Sequence, residues 1–139
     1  MNGLLLAVVF CLAPVLDGAS VNPEGKELVF AHAIWRHGTR APQVLYPTSL
    51  NTEKDFAPGL GELTTAGMLE QFQLGQRLGQ RYIDELQFLS PNYMATEVFV
   101  RSTAYNRTIA SAMINMAGFY SGRGVPGADF PLNSLGPGN

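Results

Sequence analysis

The feature that most constrains the fold is the run ELVFAHAIW, from Glu27 to Trp35, which is almost continuously apolar. Strands with one solvated face alternate apolar and polar residues, whereas a strand covered on both faces of a parallel sheet is apolar throughout. A shorter β-rich segment, TEVFVRS, spans Thr96 to Ser102. The two segments predict neighbouring strands of a parallel sheet.

Two helical patterns follow these segments. Apolar spacing predicts a first helix from about Thr64 to Leu86, with Thr64 as its N-cap. Gly75 and Gly79 lower helix propensity, so we expect this helix to press closely on another backbone there.

The second helix is predicted from about Ala104 to Tyr120, with Ser102 or Thr103 as its cap. Its apolar side is expected to consist of Ile109, Met113, Met116 and Phe119. The order strand, long loop, helix, strand, helix predicts an α/β domain. Two strands are fewer than the five or six of an average sheet, so we expect an incomplete domain.

The N-terminal residues have the layout of a secretory signal. Leu4 to Leu16 is apolar and is followed by the small residues of DGAS, which predicts a signal peptide over residues 1–20 and a mature chain over 21–139. The apolar run is shorter than the roughly 20 residues of a membrane span, although a buried strand or a membrane anchor are alternatives. Cys11 is the only cysteine, so the mature chain would contain no disulfide and no cysteine nucleophile.

The charge balance restricts the partners. The chain carries a net charge of −2, so it has no general basic field to hold nucleic acid. Any anion site must therefore be local.

A local excess of cations follows the first apolar run. Arg36, His37 and Arg40 come directly after it, and Arg101 ends the second strand-like segment. Because ligands of parallel sheets bind beyond the carboxyl ends of the strands, we expect these side chains to meet at one edge. Arginine's planar fork suits phosphate or carboxylate oxygens. Between such cations, His37 could act as a nucleophile that forms a phosphohistidine; the alternative is a surface loop with incidental positive charge.

The motif RHGTRAP, from Arg36 to Pro42, resembles the RHGxRxP signature of the histidine acid phosphatases. The stretch LTTAGMLEQFQLGQRLGQRY, residues 63–82, is similar to the first long helix of that family. VRSTAYNRT, residues 100–108, is similar to its second arginine motif, with Ala104 where the family usually has Asp. The resemblance covers about residues 28–131.

This resemblance implies a fold and a set of roles. The chain would be the incomplete N-terminal part of a three-layer α/β/α domain with a parallel sheet, lacking the cap and the C-terminal strands. His37 would be the phosphorylated nucleophile, and Arg36, Arg40 and Arg101 would bind the phosphoryl oxygens. The family's His-Asp pair, which supplies the general acid, has no counterpart here, because His32 and His37 are the only histidines.

The expected function is that of an acid phosphatase acting on small phosphate monoesters without a cofactor, in a truncated form with impaired activity. A phytase-like enzyme, or a non-catalytic phosphate-binding or non-folding remnant, are the alternatives. The resemblance further implies a lysosomal or extracellular location and a homodimer. Asn106 begins an N-glycosylation sequon.

Other residues have two interpretations each. A metal shared by His32 and His37 is not expected, since their odd spacing places them on opposite faces of a strand. His32 is expected to be a core or sheet-face residue. Arg107 could lie under the phosphate site or on the helix surface, and Trp35 could belong to the core or line a pocket.

Overall fold

The computed structural model describes residues 25–124. Its elements are a 3₁₀ turn at Glu53–Asp55, helix α1 at Thr65–Gly79, a π-helical turn at Gln80–Glu85 that continues α1, and helix α2 at Asn106–Phe119. The predicted signal peptide, residues 1–20, lies outside the described residues and stays a prediction.

Helix α1 begins where the sequence predicts. Thr64 has extended backbone, and its hydroxyl accepts a hydrogen bond from the Gly67 N–H at 3.1 Å. This bond satisfies one of the free N–H groups of the first turn. With the π-helical turn and Leu86 as the last cap, the helical segment has the predicted extent.

Helix α2 begins later than predicted. Its N-cap is Tyr105, which makes no side-chain cap bond, so the prediction of Ser102 or Thr103 is wrong. The physical reason is a tight turn in which the Thr103 carbonyl accepts the Tyr105 N–H at 2.9 Å. The Thr108 hydroxyl then approaches the carbonyls of Thr103 and Tyr105, each at 2.8 Å, and holds the turn from inside the helix.

The two helices pack through small residues. The buried residues of α1 recur every four positions: Gly67, Gln71, Gly75 and Gly79. A side chain at Gly75 would overlap the Asn115 carbonyl of α2, and one at Gly118 would overlap the Phe72 carbonyl of α1. The predicted close approach of another backbone is confirmed.

The apolar side predicted for α2 is wrong in part. Ile109 and Met113 are 43% and 68% exposed, and the residues buried in the helix are Ser111, Asn115, Gly118 and Phe119. Ser111, Asn115 and Gly118 lie where the backbones approach each other. The other two predicted residues are confirmed, since Phe119 lies in the apolar core and Met116 packs against it.

Within residues 25–124 the backbone forms isolated bridges, such as the antiparallel pair Arg40 and Leu63, and no strand of the predicted sheet. One side of the first apolar run is covered: Ala33 is buried, whereas Phe30 and Ile34 are 42% and 46% exposed. The expectation that both faces are buried is therefore wrong for the described residues, since α1 and α2 pack against one face only. The parallel three-layer arrangement stays a prediction.

The main apolar core lies behind this covered face. It consists of Ile83, Leu89, Val98 and Phe119, packed against Leu78, Tyr82, Phe88, Met116 and Tyr120. Trp35 is half-buried and lines a small apolar crevice beside this core. Among residues 25–124, the helices are too short or too polar to cross a membrane.

Candidate active site

The loop from Arg36 to Thr39 lies across the N-terminal turns of α1 and against α2. Gly38 makes this possible, because a side chain there would overlap the backbone of Gly67. The reverse also holds, since a side chain at Gly67 would meet the backbone of Thr39. Two glycines, one on the loop and one on α1, thus set the depth at which the loop lies.

Three side chains of the helices hold the backbone of this loop. The Gln71 amide donates to the Arg36 carbonyl at 3.2 Å. The Ser111 hydroxyl accepts from the Gly38 N–H at 3.2 Å, and it donates to the Arg107 carbonyl at 2.6 Å. Gln71 and Ser111 are both buried, at 5% and 1% exposure.

The third holding residue is Glu70. One carboxylate oxygen accepts from the Thr39 N–H at 2.8 Å, and the other accepts from the Thr39 hydroxyl at 2.7 Å. These two bonds, the side-chain bond more than the backbone bond, hold the pKa of Glu70 below its ordinary value. The carboxylate therefore stays ionised under more acidic conditions than a free glutamate does.

The geometry of His37 assigns its ring protons. Nδ1 lies 2.7 Å from the Gly38 carbonyl oxygen. Because a carbonyl oxygen can only accept, Nδ1 must carry the proton in this contact. The neutral ring then has its lone pair on Nε2. His37 is half-buried, and the loop offers the arrangement of a positioned nucleophile.

The predicted cations differ in how they are held. The Arg40 guanidinium is half-buried and donates to the Ala41 carbonyl at 2.8 Å. Arg36 and Arg101 are exposed. Trp35 and Val100, which precede Arg36 and Arg101 in the chain, line the same crevice. The segments that end in these two arginines are therefore neighbours. No hydrogen bond within residues 25–124 ties the Arg101 guanidinium to the loop, and its approach to His37 stays a prediction.

Arg107 is partly buried, and its place under the phosphate site stays a prediction. One of its guanidinium nitrogens lies 3.5 Å from the Gly61 carbonyl, and its Cζ lies 4.7 Å from the centre of the Tyr105 ring. Its Nε is buried without a hydrogen-bond partner in the described part of the chain. The side chain thus packs against Gly61 and Tyr105 and is not a fully solvated surface charge.

Two other candidates lie at the surface. His32 is exposed, with its ring centre 6.2 Å from that of Phe30, so it is a face residue and not a core residue. Asn106 is the exposed first residue of α2, with its amide 3.5 Å from a Glu62 carboxylate oxygen. Its glycosylation stays a prediction. Residues 25–124 contain no group of three metal-ligating side chains.

Glu70, Gln71 and Ser111 are not among the site residues that the sequence predicts. The position of Gln71 on α1 could have identified it. Gln71 lies on the same side of the helix as Gly67, Gly75 and Gly79, which packs against neighbouring backbone. For Glu70 and Ser111 the sequence offers no such signal, because their partners lie 31 and 73 residues away.

Comparison with known proteins gives one family. The sequence profile described as Histidine phosphatase superfamily (branch 2) matches residues 27–134. Lysosomal acid phosphatase of Xenopus laevis is 37% identical over 123 residues, which is 88% of this chain and 28% of that protein. Testicular acid phosphatase of Homo sapiens is 42% identical over 122 residues, 84% of this chain and 26% of that protein. Lysosomal acid phosphatase of Homo sapiens is 41% identical over 100 residues, 72% of this chain and 23% of that protein.

The chain thus spans less than a third of the length of these relatives. The profile match nevertheless includes the Arg36–Thr39 loop and both helices that hold it. The chain belongs to branch 2 of the histidine phosphatase superfamily.

Proposed function

We propose that this chain carries the phosphoryl-accepting half of an acid phosphatase that acts on phosphate monoesters. The observation that carries the proposal is the Nδ1 contact of His37 with the Gly38 carbonyl, which leaves Nε2 as the nucleophilic nitrogen. Acid phosphatases at 37–42% identity support the same activity. Those relatives also favour a lysosomal or secretory route, with the signal peptide as the element that would direct it.

In the proposed reaction, the Nε2 lone pair of His37 attacks phosphorus and the ester P–O bond breaks. The leaving oxygen departs with the bonding electron pair and takes a proton from solvent. Water then attacks the phosphohistidine, the P–N bond breaks, and inorganic phosphate and the neutral imidazole are released. Nδ1 keeps its proton and its bond to the Gly38 carbonyl through both steps.

The arginines would act on the phosphoryl group. Arg36, Arg40 and Arg101 would donate to its oxygens and stabilise the charge that they bear in the transition state. The family resemblance supports these roles, as it supports a three-layer α/β/α domain and a homodimer for the complete enzyme. No cofactor is needed for the two steps.

The test is covalent labelling of the full 139-residue chain with radiolabelled p-nitrophenyl phosphate. This ester suits the chain because nitrophenolate leaves without a proton, so a general acid is not required. We expect acid-labile, base-stable label on the parent chain. His37→Ala should lose all of it, since the attacking nitrogen is removed.

The matched control is His32→Ala, which removes the only other histidine and should keep parental labelling. Equal labelling of parent and His37→Ala would refute the proposal. Saturable binding of inorganic phosphate without any label would instead identify a non-catalytic phosphate-binding protein.

A further inference from the structure

The peptide unit between Gly38 and Thr39 connects two side chains that do not touch each other. Its carbonyl oxygen accepts the His37 Nδ1–H at 2.7 Å. Its N–H donates to the Glu70 carboxylate at 2.8 Å. In a trans peptide the C=O and N–H groups point in opposite directions, so Glu70 and His37 lie at the two ends of one hydrogen-bonded chain.

We propose that Glu70 is a positioning residue for His37 and acts through the Gly38–Thr39 peptide unit. A carboxylate bond to an N–H is shorter and stronger than a neutral one, and hydrogen bonds in a chain polarise one another. The bond that the Thr39 N–H donates to Glu70 therefore increases the negative charge on the Gly38 carbonyl oxygen, which strengthens its hold on the Nδ1 proton; because Glu70 is exposed, solvent screens part of this effect. The assignment rests on the proposed role of His37 as the nucleophile.

The second oxygen of Glu70 fixes the orientation of this carboxylate. It accepts from the Thr39 hydroxyl at 2.7 Å, so both oxygens are held by one residue. The same two bonds hold the pKa of Glu70 below its ordinary value, which keeps the carboxylate charged. The Thr39 carbonyl is held in turn by Thr64, through its N–H at 3.0 Å and its hydroxyl at 2.8 Å.

Few other charges belong to the elements around this peptide unit. Besides Glu70, α1 carries Arg77 and α2 carries Arg107. The loop itself carries Arg36, the next residue in the chain after the loop is Arg40, and residues 61–64 carry Glu62. The N–H and the hydroxyl of Thr39 both donate to the Glu70 carboxylate. Substitution of Glu70 alone can therefore remove the whole contact.

Two substitutions separate charge from geometry. In Glu70→Gln, the amide oxygen can still accept from the Thr39 N–H, and the amide nitrogen can donate to the Thr39 hydroxyl, while the charge is lost. In Glu70→Ala both the charge and the contact are lost. Glu85→Gln is the control, because Glu85 pairs with Arg81 in the π-helical turn at the far end of the helical segment.

The first readout is the tautomer of His37 in the full chain, measured from the imidazole ¹⁵N chemical shifts without substrate. The parent, Glu70→Gln and Glu85→Gln should show the Nδ1–H form. Glu70→Ala should show a mixture with the Nε2–H form. The second readout is the rate of phosphoryl labelling, which should fall about tenfold in Glu70→Ala, equivalent to about 1.4 kcal/mol, and about two- to threefold in Glu70→Gln.

The outcomes are distinct. An unchanged tautomer in Glu70→Ala, with or without a loss of stability, would show that Glu70 is only a structural contact and would overturn the proposal. Because the tautomer is measured without substrate, it decides the role of Glu70 even if the parent chain is not labelled. Labelling that survives His37→Ala would refute the proposed function and leave the tautomer result standing.

Discussion

The hydroxyl of Ser111 joins two backbone groups that are distant in the sequence. It accepts from the Gly38 N–H beside His37 and donates to the Arg107 carbonyl one turn earlier in α2. Because Ser111 is only 1% exposed, water has little access to replace either bond. One buried hydroxyl therefore fixes the loop against the second helix.

Ser111→Ala should reduce the free energy of unfolding by about 1–3 kcal/mol, because a buried N–H at Gly38 loses its acceptor. Urea unfolding of the parent and the variant measures this. Ser102→Ala is the control: Ser102 is exposed, and its substitution should change stability by no more than about 0.5 kcal/mol. Equal effects of the two substitutions would contradict the role of Ser111.

At this scale the sequence predicts local chemistry better than long-range contacts. Thr64 was predictable as a cap because its partner, Gly67, is three residues away. The contacts of Glu70 and Ser111 with the loop were not, since they form only when the helices and the loop are assembled. The roles of Arg36 and Arg101 remain predictions from the family motif.

At the scale of elements, the contact between α1 and α2 depends on residues that have almost no side chain. Gly75 meets the backbone around Asn115, and Gly79 meets the Phe119 carbonyl. Helical glycine normally costs about 1 kcal/mol relative to alanine. Here the glycines allow the helix backbones to come into contact, and this contact offsets the loss of helix propensity.

Gly75→Ala should therefore destabilise the chain, although the same change in an exposed helix would stabilise it. The added methyl would overlap the Asn115 carbonyl, so the helices must separate, and overpacking of this kind costs about 1–3 kcal/mol. Thermal or urea unfolding measures the sign. Gln73→Ala, at an exposed position of α1, is the control and should be nearly neutral. A stabilising Gly75→Ala would show that the contact is loose.

The sequence predicted this glycine contact, and it placed two of the four apolar residues of α2 correctly: Phe119 is in the core and Met116 packs against it, whereas Ile109 and Met113 are exposed. Helical periodicity assigns the inward face to the largest apolar residues, such as Ile109 and Met113. Where the helix backbones touch, the inward positions of α2 are Ser111, Asn115 and Gly118, and periodicity cannot identify such positions without knowledge of the partner helix.

At the scale of the whole molecule, the apolar residues of the described part, 25–124, differ in burial with the side on which they lie. Ile83, in the core beside α1 and α2, is 6% exposed, whereas Ile34, on the outer side of the first apolar run, is 46% exposed. The apolar composition of the run predicted burial on both sides. Composition shows which residues prefer to be buried, but it does not show whether another part of the protein covers each side.

Ile83→Ala and Ile34→Ala form a matched pair that tests this difference. The same atoms are removed at both positions, so the difference in cost reports mainly burial, since the helix preference of alanine at Ile83 contributes less than about 1 kcal/mol, which is the size of the full propensity range. Ile83→Ala should cost about 2–5 kcal/mol of unfolding free energy, and Ile34→Ala should cost less than about 1 kcal/mol. Denaturant unfolding of both variants gives the comparison. Similar costs would show that the outer face is covered in solution.

The attachment of the His37 loop to both helices affects the order in which the chain can assemble. Gln71 and Glu70 hold the loop from α1, and Ser111 holds it from α2. The loop therefore reaches its final form only after the helices have docked. An anion that binds only this final form stabilises the docked state by RT ln(1 + [L]/Kd). Phosphate bound beside His37 as proposed would in that way stabilise the docked helices, and its binding would report their docking.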